Sequence, residues 1–406
     1  MLDNKTIDFI EKYKEEDVHI LLLSSHRYKD IDINQAVTII ECRKKLKNKV
    51  PEWVSNNRLV YKSKVSAEQS SSSVTARYKQ KYCKNGTIID LTGGLGVDTY
   101  FLSQANRFVV YVEKNRELFE ASLHNFKELG ADNIVGINCE TNAENISKIM
   151  SFAYKRTSAN HIDMIYTDPS RRDAEGERVL SVNSYEPDIT KIIDILIDLA
   201  DKVVVKLSPM VDIKSVINQF NSLFSIDILS IENDCKELLL LFKKERDNKG
   251  VQITAVNYSK SRGYEEFAFN LEEENSCKSI FADASLGRYL YEPNSSIYKS
   301  GAFKIAGERY KLRKLDTNTH LYTSHSLENN FPGRVFKIKE VVNYNKDAIR
   351  NLRKIYPKAN IATRNFPLKA EDLRKKLSLL EGGNLTIFGC TLISGSKVLV
   401  ICSREI

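Results

Sequence analysis

The chain contains no run of about 18 apolar residues, so it lacks the sequence of a membrane-spanning helix and no membrane contact is expected. Its opening, MLDNKTIDFIEKYKEED, lacks the basic-then-apolar layout of a secretion signal. The seven cysteines, at 42, 83, 139, 235, 277, 390 and 402, form no C-x-x-C pair. That spacing argues against a zinc site and against a disulfide framework, so reduced thiols, a cytoplasmic location and no metal are expected. Tryptophan occurs once, at Trp53, just after Pro51. One indole next to a helix-breaking residue is read as a packing anchor in preference to a stacking platform. Proline is sparse beside abundant lysine, which reflects base composition and carries nothing about function.

What is present suffices for a multidomain globular protein. The length of 406 residues sets two to four domains, and a hydrophobic content of 42% supplies proper cores. The net charge of +8 is unevenly placed: Arg334 to Lys376 holds 13 Lys+Arg against 4 Asp+Glu, a local +9. The remainder is near neutral. A basic C-terminal module beside a neutral core suits a polyanion such as RNA; a solvated lysine-rich face is the plainer alternative.

The stretch Thr87 to Asp98, T-I-I-D-L-T-G-G-L-G-V-D, organises the chain. An apolar strand through Ile88 and Ile89 ends on Asp90. A turn with Thr92, Gly93, Gly94 and Gly96 follows, then a helix predicted over 98–105. Glycines there reach positive φ and let a ligand approach the backbone, and ligands of such sheets sit beyond the carboxyl ends of the strands. A dinucleotide fold wants G-x-G-x-x-G, but Thr99 stands where the third glycine belongs. Asp98 also puts a negative charge where a pyrophosphate would lie. The pattern Asp90, Gly94, Gly96 instead resembles motif I of class I S-adenosylmethionine-dependent methyltransferases, whose cationic ligand tolerates acids at the loop. Dinucleotide binding and a bare structural turn remain the alternatives.

The next strand, Phe108 to Val112, ends in Glu113, placed to accept both hydroxyls of a ribose. That confirms a nucleoside and not which one; an ordinary strand-end acid is the alternative. Phe119, Leu123 and Phe126 mark a one-faced helix over 115–129, stopped by Gly130. A third strand over 133–138 leads to Glu140, the candidate for the adenine amino group, with Asn138 as fallback and a surface turn as the bland reading.

A fourth strand over 162–166 runs into Asp168-Pro169-Ser170-Arg171-Arg172. The proline fixes φ and turns the loop sharply, which places Asp168 over the pocket. Methyltransferases acting on nucleobase nitrogens carry an acid or amide followed by proline at this point. Arg171 and Arg172 suit phosphate or guanine-edge contacts. Lys206, at the end of a fifth strand over 203–205, is placed to hold substrate phosphate or the Asp168 carboxylate; neutralising nearby acids is its bland role. No cysteine lies in the loop, which disfavours pyrimidine C5 chemistry. A helix is expected over 185–198, and strands over 226–231 and 237–242 as a closing antiparallel pair.

Residues 1–85 read as helical, with Val18 to Leu23 apolar enough to be buried. The segment Glu68 to Lys79, rich in serine, is expected either to fold over the cofactor or to be a linker. Beyond a linker at 246–250, strands are expected at 251–256 and 267–271. Lys304, Arg309, Lys311, Arg313 and Lys314 with Phe303 and Tyr310 suggest an RNA surface. The last module alternates strand and helix and closes on a hairpin around Ser394-Gly395-Ser396.

Taken together, K-V-P-E-W (49–53), S-S-V-T-A-R-Y-K (72–79), D-L-T-G-G-L-G-V-D-T (90–99), D-P-S-R-R (168–172), V-K-L-S-P-M-V-D (205–212) and R-N-F-P-L (364–368) resemble, over the whole chain, a bacterial family of class I methyltransferases with a THUMP-like C-terminal domain. The resemblance implies an α/β fold: a helical region (1–85), a Rossmann-like methyltransferase domain (86–245), a small ferredoxin-like domain (250–330) and a THUMP-like domain (331–406). It implies S-adenosylmethionine held by Asp90, Thr92, Gly93, Gly94, Gly96, Asp98, Glu113 and Glu140. Asp168, Pro169, Arg171, Arg172 and Lys206 then form the catalytic set, with tRNA or rRNA as substrate and a base nitrogen as acceptor. Ser170 replaces the second proline of the D-P-P-R seen in better known base-nitrogen enzymes. The competing functions are an RNA-binding protein that keeps the methyltransferase fold as scaffold, and methylation of a small molecule or protein.

Overall fold

The computed structural model describes residues 2–171, 185–245, 250–283 and 285–404. Contacts divide the chain into two compact units, Met1–Phe224 with Leu238–Asp247, and Ser225–Glu237 with Asn248–Ile406.

The first unit is built on a parallel sheet of β1 (Thr87–Asp90), β2 (Phe108–Glu113), β3 (Ile134–Asn138), β4 (Met164–Thr167) and β5 (Val203–Leu207). β1 pairs with both β2 and β4, β2 with β3, and β4 with β5. The order is therefore β3-β2-β1-β4-β5, and Leu238–Phe242 runs antiparallel on the outer edge of β5. Strand order reverses between β1 and β4, which opens a crevice at their carboxyl ends. β1 and β4 are buried throughout, as a parallel sheet covered on both faces requires.

Local sequence sets the helices. Asn115 accepts the Leu118 N–H to start Arg116–Glu128, and Gly130, at φ +70°, ends it. The helix expected from Tyr185 begins instead at Ile189, capped by Asp188. Pro187 disfavours helical backbone at the residue before it, and Tyr185–Glu186 form a short antiparallel ladder with Ser170–Arg171.

The helices of residues 1–85 share a core with the glycine turn. Ile10, Ile40, Leu46 and Trp53 belong to the same apolar cluster as Val97, Phe101 and Leu118, so this region packs as part of the first unit. Val18–Leu23 departs from expectation: Leu21 is buried, but Ile20 is 58% and Leu23 82% exposed. A six-residue helix has one inward face, and the apolar run continues around the outward one.

In the second unit, Gln252–Ser259 pairs in parallel with residues 225–231 and antiparallel with Gly263–Asn270. The parallel ladder draws residues 225–237 into this unit and out of the span 86–245 expected for the methyltransferase domain. A seven-stranded sheet follows, ordered Arg313–Lys314, Tyr322–Ser324, Tyr289–Pro293, Gly333–Asn343, Lys397–Ser403, Leu385–Thr391, Asn360–Arg364. Lys346–Ile355 and Ala370–Leu377 pack Leu352, Leu373 and Leu377 against Ile387, Leu399 and Ile401. Gly395, at φ +80°, makes the expected hairpin turn. Lys314 does not belong to an RNA-facing surface: it is buried, and Nζ donates to the Thr317 carbonyl at 2.7 Å. Among the described residues no helix is long and apolar enough to cross a membrane.

Candidate functional site

Asp90 ends β1 almost fully buried. Its Oδ2 accepts the Thr99 hydroxyl at 2.6 Å and its Oδ1 the Thr92 N–H at 3.1 Å. Burial pushes its pKa up to about 7, against the lowering effect of the Thr99 hydrogen bond. The carboxylate thus ties the strand end to both sides of the glycine turn.

The glycines differ in what they provide. A Cβ on Gly93 would lie 2.0 Å from the Tyr111 ring, and one on Gly96 2.4 Å from the Phe126 ring. Gly96 is also at φ +86°. Gly94 sits at φ +53°, and a Cβ there would meet nothing nearer than the Thr92 carbonyl oxygen at 3.9 Å. Its N–H donates to Glu113 Oε2 at 2.9 Å, and the Asn115 N–H donates to Oε1 at 2.8 Å. Glu113 is therefore fixed at the tip of β2, directly beside the one glycine with room before it.

Asp98 opens the helix Val97–Ser103, where its charge complements the helix dipole. Its Oδ1 pairs with Lys79 Nζ at 2.9 Å; its Oδ2 accepts the Ser71 and Tyr166 hydroxyls, each at 2.8 Å. Lys79 is fully buried and also donates to Ser71 at 3.1 Å. Burial alone would raise the Asp98 pKa; the Lys79 and Lys206 charges, with the hydrogen bonds from Lys79 and Ser71, together outweigh it and hold the carboxyl below the usual aspartate range. Both carboxylate oxygens are taken up inside the protein. The serine-rich segment is thus strapped onto the helix that follows the glycine turn. Lys49 fastens the strap from the other side: Nζ donates to the Ala67, Glu68 and Ser70 carbonyls, and its own carbonyl accepts the Ser73 N–H at 2.7 Å.

Asp168 follows β4, one register step beyond the Thr167–Val205 pair, so it meets Lys206 across the strand ends. Lys206 Nζ is ion-paired with Asp168 Oδ2. The Asp168 N–H donates to Thr92 Oγ1 at 2.5 Å, which links this loop to the glycine turn. Asp168 keeps about a third of its side-chain surface exposed, and among the described residues Oδ1 has no protein partner. Pro169 turns the chain into Ser170–Arg171. Arg172 lies outside the described residues.

Glu140 is exposed, 3.8 Å from Lys114, on the surface beyond β3. Asn138 Nδ2 is held by the Glu113 and Lys114 carbonyls at 2.7 and 3.0 Å. The structure thus gathers Asp90, Thr92, Gly93, Gly94, Gly96, Glu113, Asp168 and Lys206 at the strand-order reversal, and leaves Glu140 at the rim. Sequence reading missed Thr99, Ser71 and Tyr166 as partners and did not pair Lys79 with Asp98. An acid in a helix's first turn, with a lysine in the motif upstream, was the available signal.

Among the described residues one trio of possible metal ligands gathers: His161, Asp163 and Asp201, at the opposite end of β4. Asp163 accepts the Thr87 N–H at 2.7 Å and His161 pairs with Asp201 at 2.9 Å, so the trio is already a hydrogen-bonded surface group.

Two family models match the second unit, a ferredoxin-like domain over residues 289–332 and a THUMP domain-like module over 333–404. A candidate methyltransferase from Porphyromonas gingivalis W83, known as a crystal structure, is 32% identical, covers 100% of both chains and superposes with a TM-score of 0.88. An rRNA methylase from Streptococcus thermophilus is 14% identical over 42% of this chain and 95% of its own, with a TM-score of 0.30. A SAM-dependent methyltransferase from Agrobacterium tumefaciens is 16% identical over 42% and 60%, with a TM-score of 0.29. Likeness as low as these last two says nothing about what this chain does. No curated protein matches the chain.

Proposed function

The chain belongs to the family of class I methyltransferases with a THUMP-like C-terminal domain, and from that premise we propose that it transfers a methyl group from S-adenosylmethionine to a base nitrogen of structured RNA, a tRNA or rRNA. The observation that carries the reading is Asp168, held at the crevice by Lys206 and Thr92, with one carboxylate oxygen that has no partner among the described residues.

The residues present fit the cofactor. Gly94 leaves room beside Glu113, whose carboxylate is oriented in advance by two backbone N–H groups and retains lone pairs for ribose hydroxyls. Asp90, Asp98 and Asp168 face Lys79 and Lys206, so the cluster is negative when all of them are ionised, which suits a cationic ligand and opposes a pyrophosphate. When bound, S-adenosylmethionine supplies an electrophilic methyl group. The chain's own residues position the acceptor, which is the main requirement of a direct displacement. Asp168 Oδ1 accepts a hydrogen bond from the acceptor's N–H, directs the nitrogen lone pair, and receives the proton that the alkylated nitrogen releases. Lys206 holds Asp168 in place through their ion pair. Arg171 and Arg172 follow the same strand end and are assigned to RNA phosphate.

Calorimetry of the purified chain with S-adenosylmethionine and with NAD tests the premise. S-adenosylmethionine is expected to bind and NAD not, with binding lost in Glu113→Ala. Asp168→Ala is expected to keep cofactor affinity and to lose methyl transfer to RNA isolated from a deletion strain. Absence of S-adenosylmethionine binding, or undiminished transfer by Asp168→Ala, overturns the assignment.

A further inference from the structure

The second unit contains a buried carboxylate with two arginines on it. Glu292, in Tyr289–Pro293, is 1% exposed. Arg334, in Gly333–Asn343, donates to its Oε2 through Nε at 2.8 Å and through one Nη. Arg364, the last residue of Asn360–Arg364, donates to Oε1 through one Nη and to the Thr363 carbonyl through the other at 2.8 Å. Both guanidinium groups are backed by rings, Arg364 by Tyr298 at 5.7 Å and Arg334 by Phe336 at 5.8 Å.

The charge does not balance. Two guanidinium groups share one carboxylate, so a net positive charge remains. It remains on side chains that are 41% and 35% exposed, while the carboxylate itself is sealed. If joining the strands were the only task, one arginine would satisfy both Glu292 oxygens in a fork. Here each arginine uses part of its donor set on Glu292. Among the described residues Arg334 keeps one Nη without an acceptor, and Arg364 also hydrogen-bonds the Tyr298 side chain. Glu292 thus acts as an internal splint: it fixes two planar donors side by side and removes the rotamer entropy they would otherwise lose on binding. Both arginines belong to the segment Arg334–Lys376 that carries the local +9 balance.

We propose that Arg334 and Arg364, oriented by Glu292, form a clamp for one phosphodiester of the RNA backbone. This rests on the RNA reading of the proposed function and names the residues that grip the chain's substrate. Phosphate oxygens match the guanidinium fork, and a splinted pair reads backbone position without reading sequence.

The test is fluorescence anisotropy of the full chain with labelled bulk tRNA over a salt series. Arg334→Lys and Arg364→Lys keep the charge on Glu292 but lose the planar donor geometry. Each is expected to weaken binding by about tenfold. Arg334→Gln with Arg364→Gln is expected to reduce the salt slope by about one. Glu292→Gln is expected to weaken tRNA binding while the arginines remain. For variants that do not fold, the wild-type chain supplies the readout: phenylglyoxal modification of Arg334 and Arg364, mapped by mass spectrometry, should be suppressed by tRNA and not by inorganic phosphate at equal phosphate concentration. Wild-type affinity and slope in the variants, or labelling unaffected by tRNA, refutes the clamp while leaving the RNA reading intact. A wild-type chain with no tRNA affinity refutes both, and S-adenosylmethionine calorimetry still decides the enzyme class separately.

Discussion

Replacing Lys79 with methionine isolates the strap's anchor. The Lys79 side chain is 1% and that of Asp98 10% exposed, and their 2.9 Å pair is surrounded by Ser71 and Tyr166. Methionine fills most of the lysine volume, so the change removes charge more than packing. Breaking a buried pair from one side costs about 3–5 kcal/mol, because the remaining charge is left uncompensated. Ser71 and Tyr166 still donate to Asp98, which places the expectation near ~3 kcal/mol, a large part of a typical ~5–15 kcal/mol stability. For a unit of this size that is about 6–12 °C in Tm. The assay is built in: Trp53, the single tryptophan, is fully buried in the first unit, so its fluorescence follows that unit alone through a thermal or urea transition. Asp98→Asn should cost less, and the double variant should cost less than the sum of the two, since it leaves no unpaired charge. The sign in pH follows from Asp98, whose pKa the fold lowers in spite of its burial. Its contribution is complete above the ordinary aspartate range and is lost as pH falls through the lower folded value. A Lys79→Met protein within about 1 kcal/mol of wild type, or additive double-variant losses, would refute the argument that this pair anchors the strap.

Two further outcomes follow from the site. Asp90, raised to about 7 by burial, is expected to lose its proton when a sulfonium cation enters, so S-adenosylmethionine binding near pH 7 should release a proton. Calorimetry in buffers of different ionisation enthalpy should show it, and affinity should rise with pH up to that value; equal enthalpies in all buffers would contradict it. Gly96→Ala must both accept φ +86° and push the Phe126 ring from 2.4 Å, at a cost of about 2–4 kcal/mol. Gly130→Ala, at φ +70° with nothing near its Cβ, should cost only about 1 kcal/mol. Equal transitions for the two would remove packing from the account.

Much of the site was legible because a parallel α/β sheet writes its pocket in consecutive residues. Asp90 with the glycine turn, Glu113, and Asp168-Pro169 each follow an apolar run, and each sits at a strand end in the structure. Lys206 was read as holding substrate phosphate, as holding the Asp168 carboxylate, or as only neutralising nearby acids; the register from Thr167–Val205 brings it to the Asp168 carboxylate. What stayed illegible depends on distant pairings. Little near Lys79 says that it is buried: Ser71 lies in its own segment, but Asp98 and Tyr166 arrive from two others. Lys314 read as surface for the same reason, and its burial comes from Phe303 and the Thr317 turn. Residues 225–237 were read into the first domain because a hairpin is a local signal, while their parallel ladder to Gln252–Ser259 is not.

The glycine turn has a bearing on how such sequences drift. Gly93 and Gly96 are enforced by Tyr111 and Phe126, side chains of the protein's own core, and Gly94 alone has room for a Cβ. A descendant that lost its ligand would still be under pressure to keep two of the three glycines, because the rings behind them would not have moved. The familiar glycine spelling therefore testifies to the sheet and its packing. On the proposed function, relaxed selection would show first at Gly94, Glu113 and Asp168, so those three positions are where a working lineage would separate from a silent one.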